Sequence, residues 1–264
     1  MSCVTLLSDF GLQDASVANA KGILMQHVPD AHLVDISHLV ETFNIQQAAY
    51  LLLSAYSSFP KGTCHVLLFD VFSEQQPRLM LSEYDGHYLL APDNGILSLA
   101  FGARLENVWS CYELGAPGIF SEWLQQIGRT IAQLQTHAPK DLGLAGCNLK
   151  VAPQHWLPKA DEHTVECHVV HIDRYENVVI NITREQFETI GKGRPFRIQF
   201  MRNEEITQLS THFYNVAEGE KLCRFNATGF LEICINRGKA ASLFGFKLYR
   251  ERHFMYNIIK IYFG

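Results

Sequence analysis

The run Thr63-Cys64-His65-Val66-Leu67-Leu68-Phe69-Asp70-Val71 restricts most sharply how this chain can fold. It is rich in strand formers and lacks a regular apolar–polar alternation, so neither face suits water. Such a strand is stable when covered on both sides, as in the middle of an α/β sheet flanked by helices. Its surroundings fit. Residues 3–7 form a second short apolar run closed by Ser8-Asp9, and residues 32–36 a third. Residues 15–27 have helical spacing, with Val17, Ala20, Ile23 and Leu24 on one face, until Pro29-Asp30 ends them. Residues 45–57 form a strongly apolar helix stopped by Phe59-Pro60-Lys61-Gly62. Residues 79–83 and 87–91 read as a hairpin around Asp85-Gly86. A Pro92-Asp93-Asn94-Gly95 turn follows, then helices over 96–101 and 120–135. Strands alternating with helices favour α/β with a partly parallel sheet.

A polar stretch, residues 137–161, carries Pro139, Pro153 and Pro158. Beyond it the pattern becomes a series of short strands at 166–172, 178–182, 196–201, 229–235 and 258–263. This predicts an α/β domain over 1–150 and an all-β, barrel-like or sandwich domain over 151–264. Nearly half of the 264 residues are apolar (47%), enough for a sizeable core in each. The net charge of −5 argues against a general phosphate-backbone binder, so no nucleic-acid partner is expected. No run is long and apolar enough for a membrane span. The seven cysteines are scattered with no C-x-x-C pair, which suits free thiols in a reducing compartment, and cytoplasm is the expected location.

Candidate chemistry collects where apolar runs end. Asp9 closes the first strand within Ser8-Asp9-Phe10-Gly11, with Lys21-Gly22 behind it. A carboxylate there can bind a ligand or simply cap a turn. Asp35-Ile36-Ser37-His38 adds a histidine, better read as ordering a loop than as a metal ligand, because no metal-ligand spacing accompanies it. Asp70 ends the buried run and Arg78 follows it. In the second half stand Ile172-Asp173-Arg174-Tyr175-Glu176-Asn177-Val178, then Asn226-Ala227-Thr228-Gly229-Phe230-Leu231-Glu232 and Asn236.

These motifs, in this order and over nearly the whole chain, resemble the S-adenosyl-L-methionine hydroxide adenosyltransferases, relatives of the fluorinase and chlorinase enzymes. The resemblance implies a homotrimer, with the ligand held where the first domain of one subunit meets the second domain of the next. It implies that Asp9 takes the ribose hydroxyls, since a carboxylate can accept two hydrogen bonds from a vicinal diol. Asp70 and Arg78 match the family's catalytic aspartate and arginine, and Asn94 matches a pocket residue, although Pro-Asp-Asn-Gly is a good turn anywhere. Asp173, Tyr175 and Asn177 match the methionine-end and pocket-lining residues. Asn226, Ala227, Thr228 and Asn236 match the segment that reads adenine, though Asn-Ala-Thr-Gly is also an ordinary hairpin turn.

The chain departs from the family in three places. Val71-Phe72-Ser73-Glu74 replaces a Pro-Gly turn after Asp70, and Glu176 replaces a glycine. Leu114-Gly115-Ala116-Pro117-Gly118-Ile119-Phe120 replaces a motif with a histidine where Gly115 stands, and Ala116 occupies the position of a halide-binding serine. The leading expectation is hydrolysis of S-adenosyl-L-methionine to adenosine and methionine. The substrate is the only small molecule required, with no metal or other cofactor. The alternatives are a protein that binds adenosyl compounds without turnover, a 5′-halogenase, which Asp70 disfavours by repelling an anion, and a related reaction on another nucleoside.

Overall fold

The structure, a computed structural model, describes residues 3–113, 119–152, 157–201, 204–248 and 258–264. The chain divides into two compact units, Met1–Ala152 and Pro153–Gly264.

The first unit is built on a seven-stranded mixed sheet. Its strands are β1 (Cys3–Ser8), β2 (His32–Ser37), β3 (Cys64–Leu68), β4 (Arg78–Tyr84), β5 (His87–Pro92), β6 (Val108–Glu113) and β7 (Ala145–Gly146). Their spatial order is β2-β1-β3-β5-β4-β6-β7. Strands β2, β1, β3 and β5 run parallel, whereas β4, β6 and β7 pair antiparallel. The β4–β5 hairpin turns at Asp85-Gly86, both at positive φ (48° and 73°), the backbone a two-residue hairpin loop requires. The helices of this unit are α1 (Ser16–His27), α2 (Ile45–Ala55), α3 (Ile96–Phe101) and α4 (Phe120–Leu134).

Helix α4 shows why the sheet is covered. Its Trp123, Leu124, Ile127, Ile131 and Leu134 recur at helical spacing, and all are buried with Ala20 and Leu24 of α1. They meet Val4, Leu6, Cys64, Val66 and Leu68, the alternate residues of β1 and β3. Each such aliphatic side chain contributes about 1.5–3 kcal/mol when fully buried. Helix α2 starts at Asn44, whose Oδ1 accepts a hydrogen bond from Gln47 N at 3.0 Å and satisfies an otherwise orphaned donor.

The second unit contains β8 (Lys159–Ala160), β9 (Thr164–Cys167), β10 (Val169–Ile172), β11 (Val178–Thr183), β12 (Phe196–Met201), β13 (Glu204–Ile206), β14 (Lys221–Phe225), β15 (Phe230–Ile235) and β16 (Ile259–Phe263). It also contains two helices, α5 (Arg184–Gly191) and α6 (Ala240–Phe244), so it is not all-β. Helix α5 opens with a reciprocal capping box between Thr183 and Gln186. Among the described residues the strands do not close into a barrel. They form a four-stranded sheet, β10-β11-β15-β14, and a five-stranded sheet, β13-β12-β16-β9-β8. The run expected as one strand over 166–172 splits at His168 and changes sheet. There His168 N donates to Asn181 Oδ1 at 2.9 Å, and Asn181 N donates back to His168 O at 3.1 Å. A side-chain amide thus takes the place of a ladder partner at the corner, as happens where strands pass between packed sheets. One core joins both sheets, with Val178, Ile180, Leu231 and Ile233 from the first and Val165, Ile198, Ile259 and Ile261 from the second.

No helix among the described residues is long and apolar enough to cross a membrane. All seven cysteines are free thiols.

Candidate active site

Four parallel strands of the first unit finish at one edge of the sheet, and the chain places a polar group just beyond each. Asp9 follows β1, His38 follows β2, Asp70 follows β3, and Asp93-Asn94 follow β5. The antiparallel β4 begins at the same edge with Arg78, because Leu79 pairs with Pro92. Strand β1 lies between β2 and β3, so the connections leaving it and returning past it diverge to either side. In an open α/β sheet that reversal leaves a crevice outside the carboxyl ends of the strands, where ligands bind.

Asp9 ties the first two loops together. Its Oδ2 accepts a hydrogen bond from Phe43 N at 2.9 Å, while Gly11 N donates to His38 O at 2.7 Å. Burial pushes the Asp9 carboxyl above its ordinary value, and the Phe43 N–H opposes that shift. His38 is held in a chain of contacts. Its Nδ1 lies 2.7 Å from Ser8 Oγ and its Nε2 lies 3.0 Å from Asp35 Oδ1, and Lys21 Nζ reaches Asp35 Oδ2 at 2.6 Å. The histidine is therefore a buried brace between the ends of β1 and β2.

Asp70 has a φ of +44°, a left-handed backbone that a non-glycine residue adopts at a cost of about 1 kcal/mol or more. Asn94 stabilises the peptide before it. Its Nδ2 donates to Phe69 O at 3.0 Å and its Oδ1 accepts from Ile96 N at 3.2 Å. Among the described residues no hydrogen bond reaches the Asp70 carboxylate. Burial raises its pKa, the nearby Asp9 charge raises it further, and Lys150 pulls it back. A carboxylate so held is available to take hydrogen bonds from a ligand or a water.

Arg78 pairs with Asp93, not with Asp70. Its Nη2 donates to Asp93 Oδ2, Asp93 N donates to Arg78 O at 3.0 Å, and Asp93 Oδ1 accepts from Lys150 N at 2.8 Å. Asp93 is only 5% exposed, whereas Arg78 is 39% exposed at the edge. Lys150 Nζ in turn pairs with Glu74 of the loop after Asp70. Sequence reasoning passed over Asp93, Lys150 and Glu74. Asp93 was absorbed into a turn motif, and Lys150 lies in a stretch that reads as a linker, 57 residues from its partner. No local pattern signals such a contact.

The second unit gives its expected residues mostly local work. Asp173 Oδ1 accepts from Tyr175 N at 2.9 Å and Asn177 N at 2.8 Å, and its Oδ2 accepts from Asn177 Nδ2 at 2.9 Å. These bonds shape the β10–β11 turn and leave Tyr175 exposed at its tip. Glu176 sits at φ +63°, which explains why glycine suits that position. In exchange its carboxylate accepts from Ser242 N at 2.9 Å and meets Lys239 at 2.9 Å, at the start of α6. Those partners hold it well below the usual carboxylate range, at about 2.

Asn226 Oδ1 accepts from Thr228 N at 3.0 Å and Phe230 N at 3.1 Å, organising the turn that also contains Ala227. Asn236 Nδ2 donates to Val216 O at 2.9 Å. The two turns stand at opposite ends of β15. Between them lies Glu232, paired with Arg224 at 3.2 Å and raised in pKa chiefly by burial. Residues 114–118, including Gly115 and Ala116, lie outside the described residues; β6 ends at this edge, Glu113 pairing with Arg78. Among the described residues no group of three or more His, Cys, Asp or Glu side chains could hold a metal ion.

Comparison with known proteins agrees with this architecture. Residues 4–133 match the model of the SAM hydroxide adenosyltransferase N-terminal domain, and residues 167–252 match that of the C-terminal domain. The chain is 25% identical over 257 residues to the (R)-S-adenosyl-L-methionine hydrolase of Methanocaldococcus jannaschii, covering 88% of each. It is 28% identical over 260 residues to the enzyme of that name from Thermus thermophilus, covering 94% of this chain and 97% of the relative. A solved structure of a conserved protein from Thermotoga maritima shares the fold with a TM-score of 0.76 at 24% identity, covering 99% of both chains. With both halves matched in order, the chain belongs to the SAM hydroxide adenosyltransferase family.

Proposed function

We propose that this protein hydrolyses S-adenosyl-L-methionine to adenosine and L-methionine. The observation that carries this reading is Asp70, a strained carboxylate without a hydrogen-bond partner among the described residues, at the carboxyl edge of the parallel strands beside Asp9 and Arg78. Water attacks the ribose 5′ carbon in line with the bond to sulfur. The C5′–S bond breaks as the C5′–O bond forms, and the electron pair returns to the sulfonium, so methionine leaves as a neutral thioether. One proton is released from the attacking water. No acid is needed on the leaving group, so the protein's task is to orient and desolvate the water.

In this reading Asp70 accepts the hydrogen bond from the water and receives its proton. Burial, which raises its pKa, favours its holding a proton. Arg78 supplies directional N–H donors from the same edge. Asp9 takes the ribose hydroxyls, and Asn94 serves by fixing the backbone that presents Asp70. Asp173, Tyr175, Asn177, Asn226, Ala227, Thr228 and Asn236 form the remaining binding surfaces. Of these, the Asp173 and Asn177 side chains act through the turn they build.

A homotrimer belongs to the same proposal. Leu12, Leu39, Phe43, Phe72 and Ile119 are exposed on loops at or near the edge that carries Asp9 and Asp70. Further copies of the chain would cover this apolar rim. The free thiols favour a reducing compartment, hence the cytoplasm.

The test is incubation of purified protein with S-adenosyl-L-methionine, following adenosine by chromatography. Adenosine and methionine in equal amounts are expected. Binding without product would favour the non-catalytic alternative, and turnover that survives Asp70→Ala would reject the role given to Asp70. Light scattering of the purified protein at the mass of three chains is expected.

A further inference from the structure

The charges at the carboxyl edge of the first unit are arranged unusually for a site that carries an arginine. Arg78 is paired with Asp93 through Nη2, and Lys150 with Glu74. Among the described residues no cation is bonded to Asp9 or Asp70, and each has its pKa raised. These six side chains together carry two more negative than positive charges. The partner of Arg78 is the most enclosed of the carboxylates in these pairs, and three separate bonds fix it: to the guanidinium, to the carbonyl of Arg78 and to the backbone N–H of Lys150. An arginine so paired keeps its N–H groups as directed donors but presents no net charge to an incoming molecule. Were Asp93 neutral, the guanidinium would be a free cation in a partly enclosed cleft, which is an anion site.

We infer that Asp93 is a specificity-determining residue: by pairing with Arg78 it orients that side chain while preventing the reaction centre from collecting an anion, so that neutral water, rather than a halide, occupies the nucleophile's position. Asp93 does this through Arg78 and is a positioning residue, not one that touches substrate. The inference rests on the hydrolytic reading for the identity of the nucleophile, whereas the exclusion of anions is a property of the side chains alone.

Two measurements test it. In the first, crystals of the wild-type protein and of Asp93→Asn are soaked in bromide and the anomalous signal beside Arg78 is compared. A bromide peak is expected at Arg78 in D93N and none in the wild type. A peak at Arg78 in the wild type overturns the inference whether or not D93N folds, and a well-folded D93N without a peak overturns it as well. In the second, adenosine release is measured against sodium chloride, with gluconate holding ionic strength constant. Chloride is expected to inhibit D93N at a concentration at least about tenfold below any effect on the wild type, because a unit charge a few ångströms away is only partly screened. Asp93→Glu, which keeps the charge, should restore chloride resistance, a rescue that a purely structural role for the residue would not require. Equal chloride sensitivity in wild type and D93N refutes the inference. Absence of adenosine from the wild type would instead refute the hydrolytic reading, and the bromide measurement would still decide the role of Asp93.

Discussion

His65 lies in the middle of the buried strand β3, and the fold forces it to stay neutral. It is fully buried, its Nδ1 is 2.8 Å from Thr5 Oγ1, and its Nε2 is 3.1 Å from His87 Nδ1. Tyr56 and Phe59 pack edge-on against it. Burial, and to a smaller degree His87, lowers its pKa from 6.5 to about 3. The unfolded chain takes up a proton at this residue below its ordinary pKa, whereas the folded protein does not until near the lowered value. The stability contributed by keeping His65 neutral is therefore complete above pH 6.5 and is lost as pH falls from there toward 3. Each unit of pH within that window costs about 1.4 kcal/mol, so lowering the pH from about 7.5 to about 5.0 removes roughly 2 kcal/mol. His65→Asn keeps an amide within reach of Thr5 and has nothing to titrate. Urea unfolding of the first unit can be followed by the fluorescence of the buried Trp123, with Trp109 and Trp156 replaced by phenylalanine. The protein that retains His65 should lose about 2 kcal/mol more than the His65→Asn variant over this pH change. Both proteins carry His87→Gln, which removes the titrating neighbour in contact with His65, and His171, lowered by burial, is common to the two and drops out of the difference. Parallel losses of stability would show that His65 is not held neutral, and the reasoning would fail.

Asp70→Asn should reduce kcat by at least about a hundredfold with little change in melting temperature, since asparagine also tolerates the left-handed backbone; single-turnover release of adenosine checks it. Asp9→Asn removes the like charge that raises Asp70, so the acid limb of the pH–rate profile should move to lower pH; an unmoved limb would uncouple the two carboxylates. Gly128→Ala should destabilise the first unit by about 1–3 kcal/mol by denaturant titration. A Cβ there would stand 2.5 Å from the His27 ring, which is itself fixed by a contact between Nε2 and Gln125 Oε1.

Much of the first unit was legible because its residues state their environment locally. The apolar run at 63–71 read as a strand covered on both faces, which the structure forms over Cys64–Leu68, and Asp85-Gly86 read as the tight turn it makes. The second unit was less legible. Its short strands were visible, but whether they closed into a barrel depended on what His168 does, and that depends on an asparagine 13 residues away. Helix α5 was missed because its eight residues are mostly polar, and its start signal, Thr183 with Gln186, adjoins a strong strand. Glu176 looked like a defect in a binding motif, yet the fold uses it to hold the first turn of α6.

The sequence by itself determined which residue types end each strand, since hydrophobic periodicity and turn chemistry act over a few neighbours. Only the tertiary structure decided how those residues pair. Asp70 and Arg78 both reach the edge expected of a catalytic pair, but the hairpin register that sets Leu79 against Pro92 brings Asp93 to the guanidinium. Charge pairing depends on distances of a few ångströms between residues far apart in the chain, and those distances exist only once the sheet has set its register.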